Sequence, residues 1–175
     1  GFRDVKIKDI NKFFKVVKNS TDNICVQFFD ASFTAGWEHL RFAALNALNA
    51  FKGKVNISSN IAMEMLLYAS AQCQIKEAVK IMGIKPDTRQ VAAVVLAENQ
   101  QRASEVLESA AKLLGGTRDD SVLELTGSKT AHLKRLFKIS KSEVDAKMEH
   151  RGESAEKKAL VDLVIEHMAL LVTQR

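Results

Sequence analysis

Residues 24–29 of the chain read Ile-Cys-Val-Gln-Phe-Phe, and residues 91–96 read Val-Ala-Ala-Val-Val-Leu. Both are apolar runs of strand length, and they are rich in the β-branched and aromatic residues that strands favour. The second run, at residues 91–96, has no polar alternation, which is typical of a strand that is covered on both faces. The two stretches therefore predict buried strands of one sheet, the first of them in a central position.

Helical spacing of apolar residues surrounds these two runs. It predicts helices over residues 10–17, 34–51, 61–69, 75–82 and 102–114, a basic helix capped by Ser128, and a last helix from about Ser154 to the end. Alternation predicts a further strand over residues 5–8, whereas residues 122–125 fit either a strand or a helix. These elements predict an α+β fold, in which residues 1–175 form a single domain with a small mixed β-sheet and several packed α-helices.

Three local details follow from the same spacing. In the helix over residues 34–51, we expect one buried stripe, formed by Trp37, Leu40, Ala44, Leu48 and Phe51. Ser140 and Glu143 have the spacing of a capping box. In the helix after Ser128, the cations are predicted to face solvent, namely Lys129, Lys134, Arg135 and Lys138.

The composition is that of an ordinary globular protein, with 46% hydrophobic and 27% charged residues. No apolar run reaches the length of a membrane span, and we expect a cytoplasmic protein without a membrane partner. The net charge of +5 makes a polyanionic partner plausible. Cys25 and Cys73 are expected to be free thiols, because a chain of this size can build its own core.

Motifs for catalysis or cofactor binding are absent from the sequence. The four histidines stand alone without metal-ligand spacing, and no glycine-rich phosphate loop or nucleophile elbow occurs. Glu64 and Cys73 are the candidates for catalysis, but no second titratable group can be named beside either. We therefore expect a protein that is not an enzyme and has no catalytic residues, no metal site and no cofactor.

Glu64 lies within an otherwise apolar helix. It either faces solvent at one edge of that helix or is a polar anchor beside a binding groove, because a buried charge must be paired.

Two helices are apolar over more of their circumference than one core contact needs. Phe42 and Leu45 lie away from the buried stripe of their helix, and the last helix has a second apolar face. Such faces are either deeply buried or docked against another chain. The candidate partner-binding residues are Phe42, Leu45, Val161, Ile165, Ala169 and Val172.

Several stretches resemble one family over most of the chain: residues 26–51, residues 60–70 with 74–78 and 82–84, the strand at 91–97, and residues 136–140. These stretches resemble the TPRKB-type, archaeal and eukaryotic kinase-binding accessory subunit of the KEOPS tRNA-modifying complex. The resemblance implies a non-catalytic subunit that binds the small kinase-like ATPase of that complex. It also implies support for threonylcarbamoylation of adenosine in tRNA, with an indirect link to the threonylcarbamoyltransferase subunit.

The resemblance further implies that the subunit recruits tRNA through the single-stranded 3′ CCA end. The polar elbow from Ser70 to Lys76 is the expected site, because amide groups read base edges and an apolar platform stacks a base. The candidate RNA-binding residues are Asn60, Glu64, Ser70, Gln72, Gln74, Ile75, Lys76 and Arg89. The alternative is a protein-only scaffold or kinase regulator without direct RNA binding.

Overall fold

The computed structural model describes residues 1–20 and 24–171. The strands are β1 (Phe2–Arg3), β2 (Cys25–Asp30), β3 (Val91–Leu96) and β4 (Thr117–Arg118). The α-helices are α1 (Ile10–Ser20), α2 (Gly36–Lys52), α3 (Ile61–Ser70), α4 (Ile75–Met82), α5 (Gln100–Leu114), α6 (Gly127–Leu136), α7 (Lys141–Lys147) and α8 (Glu153–Ala169). Two 3₁₀ turns lie at Ala31–Phe33 and Asp120–Leu123. The α+β class is confirmed.

The four strands form one sheet in the order β2-β3-β1-β4, and their described pairings are antiparallel. The expected mixed sheet is therefore wrong in its strand directions. The chain leaves β2 at Asp30 and enters β3 at Val91, which is the partner of Asp30 in the ladder. Because the excursion through α2, α3 and α4 begins and ends at the same end of the sheet, the two strands must run in opposite directions. The predicted central strand β2 lies at the sheet edge instead.

Both faces of the sheet are covered by helices. Phe28 packs into the α1–α5 core, which comprises Phe2, Val5, Phe13, Val17, Val91, Ala110 and Leu114 among others. Phe29 points to the other face and packs into the α2–α3 core, which includes Ala43, Ala47, Leu66, Leu67, Tyr68, Met82 and Ala92. A strand with successive side chains in two cores reads as an unbroken apolar run. This arrangement explains the sequence of β2.

A third cluster of buried residues joins the C-terminal helices. It consists of Leu133, Phe137, Ile139, Val144, Ala159, Leu160, Leu163 and Val164, together with Ala35 and Val161, and we call it the α6–α8 core. Ala71, at the end of α3, packs against the same cluster. The α3–α4 elbow and α6 are consequently neighbours, which matters for the surfaces described below.

The predicted stripe of α2 is only partly right. Leu40 and Ala44 are buried, but Trp37 is 57% exposed and Leu48 is 41% exposed. The buried face is instead made largely of small side chains, with His39, Ala43, Ala47 and Ala50. Alanine allows α2 to approach α3 closely, and a stripe chosen by large apolar residues misses such a face.

The structure tests the predicted helix caps and the predicted strand over residues 5–8. The capping box of Ser140 and Glu143 is confirmed. Thr126, and not Ser128, caps α6 through the backbone amide of Lys129. Residues 5–8 are not a strand, although Val5 is buried and its amide donates to the carbonyl of Arg89.

The remaining outcomes concern the cysteines, the ambiguous segment and the membrane. Cys25 and Cys73 are free thiols, as expected, and burial raises the pKa of Cys25 to about 11. The segment at 122–125, which fitted a strand or a helix, is neither: its first two residues end the 3₁₀ turn at Asp120–Leu123, and the other two follow that turn. Across the described ranges, no helix combines the length and apolar character needed to cross a membrane.

Candidate functional site

The elbow between α3 and α4 begins with a rigid helix end. Ala71 adopts the left-handed conformation, its amide donates to the carbonyl of Tyr68, and the amide of Gln72 donates to the carbonyl of Leu67. This is the Schellman pattern that closes many helices. The hydroxyl of buried Ser70 donates to the carbonyl of Leu66 at 2.8 Å. Ser70 therefore shapes the elbow from within, and its predicted direct contact with RNA is wrong.

The outer part of the elbow presents an apolar side chain between polar ones. Gln74 occupies the N-cap of α4 without a side-chain capping bond, and both Gln74 and Lys76 are exposed. Ile75 is 42% exposed, whereas Ala78 is fully buried and fixes α4 to the α2–α3 core. An amide, an apolar surface and a cation thus lie on consecutive residues of a well-anchored helix start.

Glu64 is fully buried, so neither solvent exposure nor direct RNA contact applies. Its carboxylate accepts hydrogen bonds from the backbone amide of Ile57 at 3.0 Å and from that of Ser58 at 2.7 Å. The carboxylate thereby ties the loop of residues 53–60 to α3. Of the two sequence interpretations, the polar anchor is nearer the structure, but what Glu64 anchors is the chain's own loop.

Asn60 is placed away from the elbow. Its side chain caps α3 by accepting from the amide of Met63 at 3.1 Å. Because α3 has ten residues, its two ends lie about 15 Å apart. Asn60 lines a different cavity of about 600 Å³, together with Phe14 and Cys25. The prediction of one pocket containing both Asn60 and the elbow is wrong.

Arg89 is also engaged elsewhere. Its guanidinium donates to the carbonyl of Pro86 at 3.3 Å and to that of Val5 at 3.5 Å, in the loop that follows α4. The elbow lies at the opposite end of α4. The predicted RNA-binding residues therefore do not form one site. Those that lie together in the elbow are Gln72, Gln74, Ile75 and Lys76. The side-chain amide of Gln72 donates to the carbonyl of Ser70 at 3.2 Å.

The outer face of α2 carries a second surface. Phe42 is 38% exposed and Leu45 is 41% exposed, as the sequence predicted for a partner surface. The guanidinium of Arg41 lies 5.8 Å from the ring centre of Trp37 and 6.0 Å from that of Phe42. Such contacts hold the two aromatic rings in place on the exposed helix.

Beside these residues lies an apolar groove of about 400 Å³ between α2 and β3. Its lining includes Trp37, Leu45, Leu48, Val94, Leu96 and Leu123. The sequence interpretation missed Trp37 and Leu48 here, because it placed both in the core. We call the exposed residues Trp37, Phe42, Leu45 and Leu48 the α2 face.

The C-terminal helix α8 contributes fewer residues to an exposed partner surface than the sequence predicts. Val161 is buried in the α6–α8 core, so its assignment to a partner surface is wrong. Ile165 is half-buried where the α2–α3 and α6–α8 cores meet. Ala169 is exposed, and Val172 lies outside the described residues.

His39 joins three helices in the interior. Its Nδ1 accepts from the amide of Ala35 at 3.0 Å, and its Nε2 lies 2.9 Å from the carbonyl of Ala69, to which it donates. The ring also contacts Phe137 edge to face. Burial lowers the pKa of His39 from 6.5 to about 4. His39 therefore has a structural role in the interior.

The buried imidazole predicts acid sensitivity. The unfolded chain takes up a proton on His39 near pH 6.5, whereas the folded chain does so only near pH 4, so stability falls as the pH drops through this window. We expect a loss of about 2 kcal/mol in the free energy of unfolding between pH 7 and pH 5. Urea unfolding at both pH values measures it. His39→Gln, which keeps a donor and an acceptor, is expected to remove most of this loss, and an equal loss in the variant would contradict the assignment.

Lys129 differs from its prediction as an exposed cation. It is buried, its Nζ donates to the carbonyl of Val122, and burial lowers its pKa to about 8. The residue lines a polar cleft of about 550 Å³ with Arg3 and His132. Because basic helices usually point their lysines outward, this burial could not be predicted from helical spacing. Within residues 1–20 and 24–171, no group of three or more His, Cys, Asp and Glu side chains is placed to hold a metal ion.

The chain is similar in sequence to proteins of one known family. The model of the family described as Kinase binding protein CGI-121 matches residues 2–171, a range that contains both the α2 face and the elbow. The regulatory protein Cgi121 of Methanocaldococcus jannaschii is 33% identical over 125 residues, which are 70% of this chain and 78% of that protein. The chain belongs to the CGI-121 family of kinase-binding proteins.

Proposed function

We propose that this chain is a non-catalytic, cytoplasmic subunit of the KEOPS complex that binds the small kinase-like ATPase through the α2 face and recruits tRNA through the elbow. Membership of a family described as kinase-binding supports the first part. The observation that carries it is the α2 face itself. Large apolar side chains stand exposed on a helix whose opposite side is fixed in the core.

The α2 face has the composition of a protein interface. Aromatic residues and arginine are enriched at protein interfaces, and Trp37, Phe42 and Arg41 supply both classes on one helix. The neighbouring groove offers a recess for an apolar side chain of the kinase. Direct titration of the purified kinase-like ATPase with this chain, in the absence of RNA, tests this docking.

The elbow supports the second part of the proposal. Ile75 supplies an apolar surface for a base, the amides of Gln72 and Gln74 supply donors and acceptors for base edges, and Lys76 attracts phosphate. An unpaired RNA end exposes base faces and base edges together, whereas a duplex hides them. We therefore propose the single-stranded 3′ CCA end as the ligand of the elbow, in support of threonylcarbamoyl transfer to tRNA.

Trimming the tRNA tests the elbow. We expect removal of the 3′ CCA to lower the affinity roughly 10-fold or more, since each stacked base contributes about 1–3 kcal/mol. Gln74→Ala and Lys76→Glu are expected to weaken binding of intact tRNA while leaving binding of trimmed tRNA almost unchanged. Lys112→Glu on α5, an exposed lysine on the other face of the sheet, is the matched control for charge. Equal binding of intact and trimmed tRNA would refute recognition of the 3′ end, and binding of neither would favour a protein-only kinase regulator.

A further inference from the structure

The segment of residues 125–142 is basic and contains no acidic residue. It holds five lysines and arginines together with His132, and it runs from the start of α6 into the first turn of α7. We call the exposed cations Arg135, Lys138 and Lys141 the α6 corner. All three side chains are exposed.

The other two cations of the segment have partners within the chain. Lys129 is buried against the carbonyl of Val122, and Lys134 pairs with Glu156 at 2.7 Å. By contrast, Arg135, Lys138 and Lys141 form no ion pair with any described residue. The next acidic residue, Glu143, accepts from the amide of Ser140 at 2.7 Å in the capping box. The three cations of the α6 corner thus carry positive charge that no ion pair with a described residue neutralises.

The corner lies on the same side of the molecule as the elbow. Ala71 of the elbow packs against the α6–α8 core, to which α6 contributes Leu133. The 3₁₀ turn at Ala31–Phe33 contacts both α4 and α6, and the ring of Phe33 stacks on that of His132 with centres 6.0 Å apart. The end of α3 at Ala71 is therefore joined to α6 through the α6–α8 core, and the 3₁₀ turn lies beside α6.

The helix dipoles explain the positions of two of the three cations in the α6 corner, but not the position of the third. Arg135 lies in the last turn of α6 and Lys138 lies just beyond it, where a cation is favourable to the helix dipole. Lys141 is the first residue of α7, at a helix end where a cation is unfavourable. A stabilising role within the chain would not place a third cation there, whereas an anionic partner would benefit from all three.

We propose that the α6 corner binds the phosphate backbone of RNA next to the elbow, so that the corner supplies charge and the elbow supplies recognition of the 3′ end. This inference rests on the proposed tRNA binding. Positive charge alone does not single out the corner, because Lys8 and Lys12 near α1 are also exposed cations. Those residues belong to the α1–α5 side of the sheet, away from the elbow, and so they form a matched control.

The test compares two paired variants, Arg135→Gln with Lys141→Gln, and Lys8→Gln with Lys12→Gln. Both remove two positive charges, and melting temperatures check that each variant folds. We expect the α6 pair to weaken tRNA binding roughly 10-fold at low salt and to reduce the slope of log affinity against log salt by about 1.4–1.8. The α1 pair is expected to leave both values nearly unchanged.

The outcomes separate this inference from the proposed function. Because backbone contacts do not read the terminal bases, the α6 pair is expected to weaken intact and trimmed tRNA by the same factor. Equal affinity of the wild type for intact and trimmed tRNA would refute recognition of the 3′ end. That result would not contradict phosphate binding by the α6 corner. Equal effects of the two pairs would overturn the corner. So would an α6 pair that weakens kinase binding and leaves tRNA binding intact.

Discussion

Replacing Glu64 by alanine is expected to lower the free energy of unfolding by about 3–4 kcal/mol. The substitution removes an acceptor from the amides of Ile57 and Ser58, and the amide of Ser58 is buried with the carboxylate. A buried donor left without a partner costs about 1–3 kcal/mol, and a bond to a charged acceptor contributes more than a neutral one. The loop of residues 53–60 also loses its link to α3.

Urea unfolding with circular dichroism measures the effect. Glu64→Gln is the conservative variant, because it keeps the size of the side chain and one acceptor oxygen, and about half of the loss is expected. Glu77→Ala is the control, since Glu77 makes only a surface ion pair with Lys80 at 3.6 Å and its removal is expected to cost about 0.5 kcal/mol or less. A loss below about 1 kcal/mol for Glu64→Ala would show that the carboxylate does not hold the loop.

The regular elements of the fold could be predicted from apolar spacing. The strands at 24–29 and 91–96 are close to β2 and β3, and the helices at 61–69 and 75–82 are close to α3 and α4. The two-residue strands β1 and β4 could not be predicted, because a pair of residues has no periodicity. Strand order and direction depend on where the helices return the chain, which local patterns do not record.

The site was predictable where it depends on local chain features. A polar elbow between two apolar helices marked Gln74, Ile75 and Lys76, and these side chains are exposed. Asn60 and Arg89 were assigned to the same pocket because they are near the elbow in sequence. In space, the lengths of α3 and α4 separate them from it. Distance along a helix is fixed by its rise per residue, so this error could have been avoided from the sequence.

Burial of polar residues was the least predictable property. Glu64 and Lys129 are charged, yet both are buried. Each is held by backbone groups that no sequence motif marks. The reverse error occurred for Trp37, which is apolar and exposed. Large apolar residues at a binding surface and in a core follow the same helical spacing, so the pattern alone does not distinguish them.

A single charge on the α2 face is expected to disrupt kinase binding strongly. For Leu45→Glu we expect a loss of about 2–4 kcal/mol in binding, or roughly 30- to 1000-fold in affinity. Leu45 lines the apolar groove, and a carboxylate buried there by the kinase would lose its water without gaining a partner. The fold is expected to persist, because Leu45 is 41% exposed and glutamate favours helix.

Val79→Glu provides the matched control. Val79 is an apolar residue of α4 with the same exposed fraction, 41%, and it lies outside the α2 face. It tests whether any new charge on an exposed apolar position weakens the complex. We expect its affinity for the kinase-like ATPase to stay within about threefold of the wild type, since substitutions outside an interface have small effects.

The proposed docking of a kinase on the α2 face can be measured in solution without RNA. Its most direct test is isothermal titration of the purified kinase-like ATPase with the wild type, Leu45→Glu and Val79→Glu, without RNA. We expect saturable one-to-one binding for the wild type and Val79→Glu, and a loss of at least roughly 30-fold for Leu45→Glu. No binding by the wild type, or equal affinity for the wild type and a folded Leu45→Glu, would contradict it.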